Sequence, residues 1–174
     1  MSTFDQLLAE QIGHEFAASH QYVAIAVWFD NEDLPQLAKY FYRQALEERN
    51  HAMMLVQYRL DRGMTVVIPP IPEVVNDFEH MRVPLKLALA QEKTVSEQIQ
   101  ALFAAARAEN DGLGEQAMLW FLKEQVEEVA SMQTLVNVAE RTENLFDIEN
   151  FVARETSEAT TVDADAPPAA GGAV

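Results

Sequence analysis

The chain has 174 residues, of which 49% are apolar, enough to form one domain around its own core. Twenty-eight acidic against twelve basic residues leave a formal charge of −16, which disfavours nucleic acid or an anionic membrane surface as a partner and favours cations. With no cysteine, disulfides, thiolate nucleophiles, iron–sulfur clusters and cysteine-held zinc are excluded, so a metal must be held by histidine and carboxylate.

The segment Met1–Gln11 carries Asp5 and Glu10 and no basic residue, unlike a secretory leader. The longest apolar run, Tyr22–Phe29, is far short of the roughly 20 residues that span a bilayer. No membrane association is expected, and the expected location is the cytoplasm. Gly and Pro are clustered, and the long stretches between clusters read as helices. A first helix is predicted over about residues 4–32 and a second over about 35–62, with Pro35 in its first turn and Gly63 at its end. A third is predicted over about 82–110, with Pro84 in its first turn, and a fourth over about 113–141 after the break at Asp111-Gly112. A short fifth helix is expected around Leu145–Arg154.

Short links make the first and second helices antiparallel neighbours, and likewise the third and fourth. Between the second and third lie roughly 19 residues, Gly63–Met81, long enough when extended to run the roughly 40 Å of a bundle helix. The second and third helices are then parallel, giving an all-α, up-down-down-up four-helix bundle with one long crossover and a short fifth helix. The apolar, β-branched crossover should pack either on its own bundle or on its copy in a second subunit. Beyond Arg154 the composition turns to Ala, Thr, Asp, Pro and Gly, so residues 1–154 read as the bundle domain and 155–174 as a flexible tail.

An inward-facing seam steps alternately by three and four residues. The four seams are Leu8, Ile12, Glu15, Ser19, Tyr22, Ala26 and Phe29; Leu37, Phe41, Gln44, Glu48, His51, Leu55 and Tyr58; Leu85, Ala88, Glu92, Val95, Ile99, Leu102 and Ala106; and Met118, Phe121, Gln125, Glu128, Met132, Leu135 and Ala139. None carries Lys or Arg. The ionisable members are Glu15, Glu48, His51, Glu92 and Glu128, and their depths agree to about seven residues, roughly 10 Å along the bundle. Buried carboxylates without a counter-charge are costly; two divalent ions would balance four of them. Glu48 and His51, three apart, share one helix face. A solvated helix face is the ordinary reading of any one of these glutamates. His14, His20 and His80 lack such a setting and read as surface residues.

Glu15, the run Glu47-Glu48-Arg49-Asn50-His51, Glu92 and the run Lys123-Glu124-Gln125-Val126-Glu127-Glu128, on four helices with a long link after the second, resemble the ferritins, in particular the non-haem bacterial and actinobacterial members. The resemblance spans everything but the tail. It implies a shell of 24 subunits, assembled from copies of the chain, that oxidises Fe(II) with O2 or H2O2 at a di-iron ferroxidase centre and stores Fe(III) as a mineral. By the same resemblance Glu15, Glu48 and His51 hold the first iron, and Glu48 bridges to a second held by Glu92 and Glu128, with Gln125 alongside. Glu47, Glu124 and Glu127 match a third nearby site. Tyr22 and Trp120 match aromatic residues beside the centre, core packing being an equal account of both. Glu115 matches a position lining the threefold channels, although Met118 replaces an acidic residue found there in animal members. Bacterioferritins have a haem-ligating Met where this chain has Arg49, so haem is not expected. They also repeat Glu-x-x-His on the fourth helix, where this chain has Ser131 three residues past Glu128, so the second iron lacks an imidazole. Two rival readings are a permanent di-iron oxidase or peroxidase of the rubrerythrin type, without mineral storage, and a metal-free helical interaction protein.

Overall fold

The computed structural model of the chain describes residues 3–158 and 163–174. Five helices account for most of them: α1 (Thr3–Asn31), α2 (Pro35–Asp61), α3 (Arg82–Ala108), α4 (Gly112–Arg141) and α5 (Leu145–Glu158), with no strand among the described residues. The α1–α2 and α3–α4 links each turn on one left-handed residue, Asp33 at φ 58° and Asn110 at φ 56°, short polar side chains that tolerate this conformation. Gly63, at φ 69°, follows α2 for the same reason.

Helix ends are tied to other helices. Asp111 caps α4, accepting from the Gly114 amide at 3.1 Å, and its carboxylate is held in fork fashion by Arg62 at 3.0 and 3.2 Å. Leu34 gives α2 no side-chain cap. Instead Glu149 of α5 accepts from the Gln36 and Leu37 amides, both at 2.9 Å, placing a negative charge at the positive end of α2. Arg82 donates to the Ala139 and Thr142 carbonyls at 2.8 Å each, satisfying acceptors at the C-terminal end of α4.

The directions follow from cross-links. Arg59 of α2 pairs with Asp5 of α1 at 2.9 Å, and Ser19 Oγ donates to the Ala45 carbonyl at 2.6 Å, so α1 and α2 are antiparallel. The Phe4 amide donates to Glu109 at 3.0 Å, and Tyr22 donates to Glu92, so α3 is antiparallel to α1 and parallel to α2, as the crossover length predicts. The crossover lies on its own bundle, along α1. A Cβ on Gly13 would come within 2.8 Å of Pro69, the Gln21 side-chain amide bonds both the N–H and C=O of Val75 at 2.8 Å, and Phe78 meets Trp28 edge-on at 5.6 Å. Val67 and Ile68 of the crossover stay exposed.

The apolar interior is in two parts. One, with Phe29, Leu37, Phe41, Leu85 and Leu135, fills the end that α5 closes; the other, with Phe4, Leu8, Leu55, Ile99 and Met118, fills the opposite end. Every seam residue is buried except Ser19, Tyr58 and Glu128, which are partly so. Arg59, outside the seams, is also buried; it pairs with the Asp5 carboxylate, and its two terminal nitrogens donate to the Asp5 and Thr65 carbonyls at 2.7 and 3.0 Å.

The chain beyond residue 154 differs from the flexible tail that composition suggests. α5 continues to Glu158, residues 159–162 lie outside the described residues, and residues 163–174 lie against α2 and α4. The Ala170 amide donates to the Met53 carbonyl at 3.0 Å, the Asn50 side chain pairs with the main-chain N–H and C=O of Val174 at 3.1 and 3.0 Å, and Ala166, Ala169 and Ala170 pack on the Phe4–Leu55 cluster. Small side chains bury little area, yet they let the main chain lie close enough to hydrogen-bond a helix.

Candidate metal centre

Between the two apolar clusters each of the four bundle helices delivers one carboxylate to a common point. Glu15, Glu48 and Glu92 are at most 1% exposed, and the Glu128 side chain is 10% exposed. Donor atoms of Glu15, Glu48 and His51 all lie within 4.8 Å of one another, and so do those of Glu48, Glu92 and Glu128. The two groups share Glu48. The spread of depths expected from helix counting is thus closed by side-chain reach.

Three of the four carboxylates are aimed by a neighbour. Gln11 Nε2 donates to Glu15 Oε1 at 2.9 Å, Tyr22 donates to Glu92 Oε1, and Gln125 Nε2 donates to Glu128 Oε2 while its carbonyl oxygen accepts from Ser96 Oγ at 2.8 Å. Gln125 therefore orients Glu128. His51 Nδ1 faces Glu48 at 3.4 Å and Glu128 at 3.8 Å. Its ring is packed against the edges of Trp120 and Phe121, with centroids 5.6 and 5.9 Å away. Gln11, Ser96 and Phe121 are absent from the sequence-based site. Gln11, one turn before Glu15, was recoverable as an i, i+4 amide–carboxylate pair; Ser96 required the α3–α4 register.

Four inward oxygens, Glu15 Oε2, Glu48 Oε1 and Oε2, and Glu92 Oε2, have no hydrogen-bond partner, and among the described residues no Lys or Arg pairs with any of the four carboxylates. The consequence is a set of carboxyls that resist ionisation. Burial, reinforced by Glu92 and Glu15, pushes Glu48 well above the ordinary range. Burial does the same to Glu128, with Glu48 adding to it and His51 opposing. Glu92 is raised by burial to about 7, the Tyr22 hydrogen bond offsetting part of the effect. The Tyr22 hydroxyl is pushed up by burial and by the Glu92 charge. For His51, burial lowers proton affinity, but Glu128, Glu15, Glu47 and Glu124 together outweigh it and the net direction is upward. Carboxyl oxygens in excess of the hydrogen-bond donors that reach them, no Lys or Arg partner, and one imidazole form a donor set suited to two divalent transition-metal ions sharing Glu48.

Other expected residues are placed differently. Glu47 and Glu124 are partly buried and Glu127 is exposed. Burial raises the carboxyl pKa of both Glu47 and Glu124, with a smaller upward push from Glu124 on Glu47 and from Glu127 on Glu124, and the three do not close to a three-ligand group among the described residues. Glu115 is bonded to Arg107 at 3.1 Å in the first turn of α4. Met118 is fully buried in the core, so it lines no channel. Ser131 is exposed, the next seam position being the buried Met132. His14, His20 and His80 are exposed.

Comparison with known proteins agrees with the fold. Residues 5–142 match the ferritin-like domain family. The chain is 63% identical to the protein named Ferritin BfrB of Mycolicibacterium smegmatis, covering 98% of this chain and 94% of that one. It is 61% identical to Ferritin BfrB of Mycobacterium tuberculosis, covering 97% and 93%, and 34% identical to a bacterial non-heme ferritin of Staphylococcus aureus over 78% and 82%. Among solved structures, the open-pore ferritin of Archaeoglobus fulgidus superposes with a TM-score of 0.85 at 24% identity, covering 92% of this chain and 99% of that one. A humanized archaeal ferritin superposes with a TM-score of 0.86 at 23% identity, over 93% and 98%. The helical order, the buried carboxylate–imidazole layer and these similarities agree: the chain belongs to the ferritin family.

Proposed function

We propose that the protein stores iron and is a ferroxidase: it oxidises Fe(II) at the intra-bundle centre and deposits Fe(III) as mineral inside a shell of 24 copies in the cytoplasm. The observation that carries this reading is the pair of three-ligand groups sharing Glu48, buried, with orphaned carboxylate oxygens and no Lys or Arg partner among the described residues. Glu15, Glu48 and His51 hold one Fe(II). Glu48, Glu92 and Glu128 hold the other, with Gln125 setting the Glu128 carboxylate.

Two ions on one bridging carboxylate are held close enough to react together, so proximity replaces a termolecular encounter. The pair gives up two electrons, enough to reduce one O2, with two protons, to H2O2; H2O2 in turn accepts two electrons and two protons to give two waters. Hard carboxylates stabilise Fe(III) more than Fe(II), which favours the oxidised product. Metal entry displaces protons from Glu48, Glu92 and Glu128, so binding weakens as pH falls. The second position has no imidazole and holds its ion the more loosely, as transit to a store requires. Tyr22, hydrogen-bonded to Glu92, sits within the centre and is positioned to exchange an electron and a proton with it. Glu47, Glu124 and Glu127, next to the His51 side, are a route of lower affinity for ions leaving or entering. Glu115 near the start of α4 would draw cations towards a channel of the assembled shell. Exposed apolar side chains such as Val67, Val126 and Phe146 supply surface for contacts between copies.

The test is aerobic addition of Fe(II) to metal-free protein, followed by particle mass and iron content. Rapid oxidation with hundreds or more irons retained per particle of about 24 chains supports the proposal. Two irons per chain with no further uptake identifies a permanent di-iron oxidase, and no uptake refutes both.

A further inference from the structure

The docked C-terminal segment reaches the metal centre at one remove. Asp163 Oδ2 accepts from the indole Nε1 of Trp120 at 3.0 Å, and Lys123 Nζ lies 3.7 Å from the same oxygen. The Trp120 ring meets the His51 imidazole edge-on, with centroids 5.6 Å apart at 78°, and is itself set at 89° to Phe121. Downstream of Asp163 the segment is fastened to α2 at Met53 and Asn50.

These contacts divide the control of His51 between two sides. On the carboxylate side its Nδ1 faces Glu48 and Glu128, both of which must move their charge when an ion enters. On the other side Trp120 and Phe121 pack edge-on against the ring. Phe121 is nearly fully buried, whereas Trp120 is only partly buried and depends on its indole N–H for a fixed orientation. A carboxylate acceptor makes that bond charge-assisted and directional, and the fastened segment keeps Asp163 in place.

We propose that Asp163 is a positioning residue for the centre: by fixing the Trp120 indole it holds the His51 imidazole in the plane that presents a ring nitrogen to the ion shared with Glu15 and Glu48. The proposal rests on reading those residues as metal ligands. Groups that bond a ligand directly alter metal affinity by about 10- to 100-fold. Acting through one aromatic contact, Asp163 is expected to alter it by about three- to tenfold.

Anaerobic titration of the metal-free full-length shell with Co(II) tests this, using the visible cobalt bands for the first site and Trp120 emission in a Trp28→Phe background. Asp163→Ala should weaken the imidazole-dependent cobalt site by about three- to tenfold and shift the emission. Asp163→Asn keeps an acceptor oxygen and should restore most of the affinity. Trp120→Phe should weaken the site similarly, and adding Asp163→Ala to it should cost nothing more, because both act through one bond. Cobalt affinity in Asp163→Ala equal to the parent's, or fully additive losses in the double variant, overturns the proposal while leaving the centre intact. If His51→Ala takes up Co(II) as the parent does, the ligand assignment fails, and the proposal with it.

Discussion

Replacing Glu92 with Gln should stabilise the metal-free protein at alkaline pH and do little at acid pH. Gln keeps the oxygen that accepts from Tyr22 and removes the charge. Glu92 has a folded-state pKa of about 7 against an ordinary value of 4.5, so the folded state binds its proton more tightly than the unfolded chain. Stability from this group is fully present below pH 4.5 and is lost as pH rises through 7. Above that, the ionised side chain costs about 3 kcal/mol. Some of that cost returns with Gln as amide desolvation, so the net gain at pH 8 is about 1–3 kcal/mol. For a chain of this size, that raises the thermal midpoint by about 2–4 °C per kcal/mol. At pH 5 only about a quarter of the effect should remain. Scanning calorimetry of the chelator-treated protein at pH 8, 7, 6 and 5 measures it. A Gln variant no more stable than the parent at pH 8, or a gain that does not shrink on acidification, would refute the claim that Glu92 is held ionised at a cost.

Glu48→Ala should abolish rapid Fe(II) oxidation in stopped-flow absorbance while the shell elutes at its normal size, since Glu48 is the one residue common to both ligand groups; unaltered kinetics would remove the centre from α2. Glu149→Ala should cost about 1–2 kcal/mol, as loss of a helix cap does, because α2 has no side-chain cap of its own; an unchanged thermal midpoint would show that the Gln36 and Leu37 amides find other acceptors. Glu115→Ala should slow Fe(II) uptake at low ionic strength and converge with the parent at high salt, whereas equal rates throughout would take Glu115 off the entry route.

Periodicity alone carries the bundle a long way. The seam through Leu8, Ile12, Glu15 and Tyr22 is buried as predicted, and α2 and α4 begin within one residue of where Pro35 and Asp111-Gly112 place them. Glu15, Glu48, His51, Glu92 and Glu128 converge because a three-four step fixes the inward face of each helix. Facts that depend on register between helices are not legible in this way. The Ser96–Gln125 bond requires knowing how α3 slides against α4. Composition misleads at Asp163 and Ala170: a low-complexity stretch buries little apolar area, yet hydrogen bonds to Trp120 and the Met53 carbonyl seat it. The burial of Arg59 is equally hidden, since two of its acceptors are main-chain carbonyls that no side-chain pattern announces and the third, the Asp5 carboxylate, lies on another helix.

The two apolar clusters separated by the carboxylate layer have a dynamic consequence. Helices in most bundles fray from their ends, where fewer contacts hold them. Here the ends are the anchored parts: Glu149 fastens the start of α2, Arg82 fastens the end of α4, and the Asp111–Arg62 fork joins the opposite end. Between them lies a waist where four acidic side chains and one imidazole face one another with no Lys or Arg among them. In the metal-free protein, water should enter there first, so amide hydrogen exchange should be fastest around residues 15, 48, 92 and 128 and slower towards both ends. Metal binding should reverse that profile, adding most protection at mid-helix. The ions would then be the middle layer of the core, and the bundle would close like a clasp around its own cargo.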